Sequence, residues 1–192
     1  DNFQDFSRSY FNYLENIFSR ISHQEIENLV NLLIEKRKEN ANIFFIGNGG
    51  SASTASHFAN DIAIGTKSSK NPFKAISLTD NQAIITAIGN DYGFEYIFSK
   101  QIETLGKEND LLIAISASGN SPNLIQAIDY CHKKSINTFS LTSFDGGKLK
   151  TLAENNIHIK TELKEYGPAE DLHMILAGLI GSYLIRYVLA EN

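Results

Sequence analysis

The chain is poor in cysteine, in positive charge and in long apolar runs, and each shortage removes a class of protein. Its one cysteine, Cys131, cannot close an intramolecular disulfide. A net charge of -5 gives no electrostatic reason to approach nucleic acid or an anionic membrane, so any phosphate bound must be held by local geometry. No stretch approaches the roughly 20 consecutive apolar residues that span a bilayer, and no basic start precedes an apolar run, so neither a membrane span nor a signal peptide is expected. Repeats and low-complexity tracts are also missing. These features predict a soluble protein of a reducing compartment, the cytoplasm, and 192 residues suffice for one domain with one sizeable core.

What is present falls into two textures. Residues 1–40 read as a helical hairpin. Phe3, Phe6, Tyr10, Tyr13, Leu14, Ile17 and Ile21 follow the three-and-four spacing of one helical face. Ser22 then suits a helix cap, with Glu25 three residues on and Ile26, Leu29, Val30 and Leu33 as a buried stripe. Phe11 and Phe18 lie off the first stripe, more aromatic surface than one small core covers, which predicts a partner subunit over this hairpin.

From residue 43 short apolar runs alternate with helical segments. Strands are expected at 43–46, 75–78, 111–115, 138–141 and 157–159, and helices near 51–64, 82–89, 122–135, 146–154 and 169–190. This alternation predicts an α/β fold, a parallel sheet of about five strands flanked by helices on both faces.

Two glycine-serine turns fall at strand ends. Gly47-Asn48-Gly49-Gly50-Ser51-Ala52-Ser53 leads from the first strand into a helix carrying His57 and Asp61. It is neither the dinucleotide fingerprint nor the P-loop. Ser116-Ala117-Ser118-Gly119-Asn120-Ser121-Pro122 repeats the arrangement after the third strand, with proline at a helix start. Free amides and hydroxyls at a helix N-terminus suit a phosphate without any basic side chain. A single serine in such a place more often only caps its helix. Two turns of this kind at the ends of two strands point to a ligand.

The segments GNGGSASTASHF, ISASGNSPN, LTSFDGGKL and GNDYGFEYIFSKQIETLG together resemble the phosphoheptose isomerases of the sugar isomerase (SIS) domain family, over nearly the whole chain. The resemblance implies a three-layer, flavodoxin-like SIS domain over 1–192 and a homotetramer assembled in part through the hairpin. It also implies isomerisation of sedoheptulose 7-phosphate to D-glycero-D-manno-heptose 7-phosphate for lipopolysaccharide or capsule. By position Ser116, Ser118 and Ser121 would hold the phosphate, and Asn48, Gly49, Ser51 and Asp91 the sugar. Ala117 stands where many members carry threonine. Asp61, usually glutamate in the family, and Glu170 would be the catalytic carboxylates. With His57 they would form a zinc site with an open position for sugar oxygens.

The departure lies at Gly178, where the family pattern expects a histidine acting as general acid and metal ligand. Either close helix packing or room for a different substrate would account for glycine there. His173, water or another subunit would then have to move the second proton, and Asp171 reads as an acid complementing the helix dipole. Gly178 therefore leaves open a non-catalytic relative, such as a phosphosugar sensor or a replication-initiation protein, and an isomerase of another phosphosugar.

Overall fold

The computed structural model describes residues 2–67 and 70–191. Its centre is a fully parallel sheet of five strands: β1 (Asn42–Gly47), β2 (Lys74–Ser77), β3 (Leu111–Ser116), β4 (Asn137–Ser143) and β5 (Asn155–Ile159). Their order is β2-β1-β3-β4-β5. Alternate residues of β1 explain the two cores. Ile43 and Phe45 face one apolar layer while Phe44 and Ile46 face the other, all four fully buried.

The first layer is covered by α1 (Phe3–Phe18), α2 (His23–Lys38), α3 (Gly50–Asn60) and α8 (Tyr166–Ala190). The second is covered by α5 (Ser99–Leu105), α6 (Pro122–Lys133) and α7 (Leu149–Leu152), with α4 (Gln82–Asp91) at its margin. Ser22 caps α2 as expected, its hydroxyl accepting from the Glu25 amide at 3.2 Å.

Several expectations need correction. The helix expected at 146–154 is a single turn, α7, because Gly146 and Gly147 sit at φ +89° and +50° and cannot continue a helix. A 3₁₀ turn, Phe94–Tyr96, and α5 occupy a stretch in which no helix was expected. The α3 segment ends early and runs into a π-helical turn, Asp61–Gly65, which begins at a proposed functional residue. Finally, Tyr166–Ala190 is long and apolar enough, by length and composition, to cross a membrane. It shows no continuous apolar run in the sequence because Glu170, Asp171 and His173 interrupt it. In this fold α8 is a core helix, with Ala169, Leu172, Leu176, Ala177, Ile180, Leu184 and Val188 buried.

Candidate functional site

The strand order makes β1 and β3 neighbours whose following connections depart to opposite sides, and ligands in such sheets bind outside the carboxyl ends of the strands at that switch point. Both glycine-serine turns emerge there. They enclose a pocket of about 120 Å³ lined by Asn48, Ser51, Ser116, Ser118, Ser121, Tyr166 and Glu170.

The turns are locked to each other. Asn48 and Asn123 exchange two hydrogen bonds, each Nδ2 donating to the other's Oδ1 at 2.9 Å. Asn123 is buried behind Pro122, and sequence reasoning missed it. Gly49 caps α3 at φ +55° without a side chain, and a Cβ there would meet nothing, so the requirement is conformational. Gly50 has the opposite character, since a Cβ would collide with the Glu170 carboxylate. Glu170 therefore lies on the first turn of α3, where the helix dipole favours an anion.

The second turn is held from behind. Ser116 Oγ accepts from the Gly119 amide at 3.0 Å, which folds the turn. Residues 143–149 then brace it: the amides of Ser143, Leu149 and Lys148 donate to the Ala117 carbonyl, the Gly119 carbonyl and Asn120 Oδ1 at 3.1, 3.0 and 3.1 Å. Gly119 adopts φ +62° against the Gly146 carbonyl, leaving no space for a Cβ. Ser121 is the N-cap of α6, yet its hydroxyl makes no capping bond. Mere capping thus fails to explain Ser121, which lines the pocket instead.

The remaining expected residues lie elsewhere in this protomer. His57 Nε2 and Asp61 Oδ2 are 3.1 Å apart, a solvent-accessible pair one helical turn apart in sequence. Asp61 packs on Gly181, its Cβ 3.3 Å from where a glycine Cβ would stand. Gly50 meets Glu170 and Asp61 meets Gly181, so α3 with its π-turn and α8 run side by side, the two contacts eleven residues apart on each. At 1.5 Å per residue that is roughly 16 Å, too far for Asp61 and Glu170 to share one ion. No group of three His, Cys, Asp or Glu side chains suited to a metal exists among the described residues. The expected ligand set His57, Asp61 and Glu170 is not assembled within one protomer. Asp91 ends α4 as an exposed side chain accepting from Asn90 Nδ2 at 2.8 Å, away from the pocket.

A Cβ at Gly178 would meet nothing within 4 Å, so this glycine marks open space and not close helix packing. His173 is no proton carrier for this pocket. It is 1% exposed, its Nε2 lies 3.2 Å from Ser143 Oγ, and burial pushes its pKa down to about 4 despite the opposing pull of the Thr142 main chain. Asp171 does not serve the first turn, because α8 starts at Tyr166; its carboxylate accepts from the Tyr10 hydroxyl at 2.5 Å. Tyr166 was also missed. Its ring stands edge-on to Phe144, centroids 5.1 Å apart.

Fold and pocket define a doubly wound α/β domain with a pocket at the switch point between two glycine-serine turns. The SIS-domain family model matches residues 9–143. The chain belongs to that family, among the phosphoheptose isomerases. It is 36% identical to the phosphoheptose isomerase of Helicobacter pylori (strain Shi470) over 163 residues, 85% of this chain and 84% of the relative. The enzyme of Campylobacter jejuni subsp. jejuni serotype O:6 is 35% identical over 158 residues, 82% of this chain and 84% of its own. Among solved structures, the phosphoheptose isomerase of Francisella tularensis superposes with a TM-score of 0.87 at 26% identity, covering 97% of this chain and all of that one. That of Neisseria gonorrhoeae gives 0.83 at 29% identity, covering 95% and 98%.

Proposed function

We propose that this chain is an aldose-ketose isomerase converting sedoheptulose 7-phosphate to D-glycero-D-manno-heptose 7-phosphate, supplying heptose for lipopolysaccharide or capsule in the cytoplasm. The observation that carries the reading is the clasped pair of turns with one carboxylate, Glu170, at their junction. The phosphate would sit at the α6 N-terminus on Ser116, Ser118 and Ser121, with Asn48, Gly49 and Ser51 along the sugar. Isomerisation moves a proton between the two carbons of an enediol, so it needs a base at C1 and C2. Glu170 is the carboxylate that this protomer's pocket offers for that role, and Asp61 of a second copy is the other candidate.

Zinc, implied by the resemblance, does not fit the donors of one protomer, because Glu170 and Asp61 lie at opposite ends of the α3–α8 contact. No step here uses a metal. A second copy of the chain would bring His57, Asp61 and Asp91 to the pocket, within a homotetramer. Support comes from uncovered apolar surface. Phe3, Phe6 and Phe11 of α1 are 58–80% exposed, and no residue of α4 is buried although Ile84 and the following Tyr92 and Phe94 are apolar or aromatic. Short helices are marginal without packing.

Incubation of the purified protein with sedoheptulose 7-phosphate, with and without zinc, tests the reading. The expected result is the aldose product in both arms. Tight phosphosugar binding without turnover would favour the second reading, a non-catalytic binding relative, to which the empty space at Gly178 lends weight.

A further inference from the structure

Positions 48 and 123 are 75 residues apart in the chain, yet their side chains join the two turns directly. The Asn123 carboxamide is 1% exposed and engaged at both ends. Its Nδ2 donates to Asn48 Oδ1, and its Oδ1 accepts both from Asn48 Nδ2 and from the Leu124 amide at 3.1 Å. The last of these bonds serves the first turn of α6, which begins at Pro122 and whose amides have no partner within the helix. A cap of that kind needs an acceptor alone, and aspartate would supply it. The donor half of the carboxamide has its partner in Asn48, so the clasp requires the amide and not the acid. Asn48 keeps one N–H and one lone pair for a ligand in the pocket it lines. We propose that Asn123 is a positioning residue: through Asn48 it fixes the separation between the turn that takes the phosphate and the turn that takes the sugar.

This role rests on the phosphosugar reading of the pocket, and it holds whichever carboxylate, in whichever copy, moves the proton. Both partners of the clasp and both turns belong to one protomer. The second turn is braced from behind by residues 143–149, so its shape does not depend on the clasp. What the clasp adds is the register of the first turn against it. Inorganic phosphate fits the second turn alone and is indifferent to that register. A phosphosugar spans both turns, and its second contact is effectively intramolecular once the phosphate is seated, so its affinity depends on the correct separation. Removing the Asn123 donor leaves Asn48 Oδ1 without its hydrogen bond and frees the first turn to shift.

The test compares the parent with Asn123→Asp, which keeps the acceptor for Leu124, and Asn123→Leu, which is uncharged and of similar size. Asn48→Ala and the double variant Asn48→Ala/Asn123→Asp complete a cycle. Circular dichroism checks folding. Calorimetry measures binding of inorganic phosphate and of heptitol 7-phosphate, the reduced form of sedoheptulose 7-phosphate, which has no carbonyl and cannot turn over. The readout is the ratio of heptitol phosphate affinity to phosphate affinity, in which any general repulsion of phosphate by a new carboxylate cancels. Each single variant at position 123 should lower this ratio by about 10-fold, and Asn123→Asp should lower it no further in the Asn48→Ala background. An unchanged ratio in folded Asn123→Asp reduces Asn123 to a helix cap and overturns the role. An equal further fall in the absence of Asn48 overturns it as well. Both outcomes leave the phosphosugar reading standing, because the parent still prefers heptitol 7-phosphate to phosphate. A parent that binds the two equally, or binds neither, overturns that reading and this role with it.

Discussion

Single glycines in this site do opposite jobs, and the difference can be measured. Gly119 is confined by both its positive φ and the Gly146 carbonyl. Gly119→Ala would place a Cβ against backbone that cannot swing aside. We expect it to cost about 2 kcal/mol or more and to lower the Tm by several degrees, with a matching loss of inorganic phosphate binding in calorimetry. Gly178 faces open space, so Gly178→His should fold as well as the parent and gain a few tenths of a kcal/mol in helix propensity, about 0.3–0.5 kcal/mol. The new imidazole would stand one turn from Gly181, which touches Asp61, and with His57 would complete three ligands. Zinc retained after dialysis, absent from the parent, is the expected outcome; a folded variant without bound metal would reject this geometry. The sequence alone could not separate the two glycines, because close approach and open space are written with the same letter.

Among the elements, α8 gathers more of the site than its composition suggests. It supplies Tyr166 and Glu170 to the pocket, Gly181 to Asp61, and His173 to the rear of the serine turn through Ser143. His173 stays neutral in the fold down to about pH 4, whereas in the unfolded chain it takes up a proton near its ordinary value of 6.5. Its contribution is therefore intact above pH 6.5 and lost as pH falls from 6.5 to 4, by up to about 3 kcal/mol. Urea titrations across that window should show the decline in the parent and a flatter response in His173→Asn. Strand positions and both turns were legible, since buried parallel strands read as apolar runs and their punctuation is glycine and serine. The single turn of α7, the π-turn at Asp61 and α5 were not, because glycine conformations and local winding are decided by neighbours distant in sequence. Asn123 and Tyr166 escaped for a related reason: nothing in an isolated segment says which other turn it will touch.

For the whole molecule, the uncovered aromatic face of α1 and the unburied α4 set the expectation that the folded chain is unfinished as a monomer. Light scattering should give a tetramer, and replacing Phe3, Phe6 and Phe11 together with serine should shift it to smaller species with the far-ultraviolet spectrum preserved. A parent that is monomeric and fully active would contradict this assembly. The clasp between Asn48 and Asn123 has a consequence for any such measurement. Carboxamides neither titrate nor attract counterions, so the spacing of the two turns is indifferent to proton activity and to ionic strength. Above pH 6.5 a rate profile would then report reacting groups and not a distorted cradle, and inhibition by simple anions would report competition for the cradle itself.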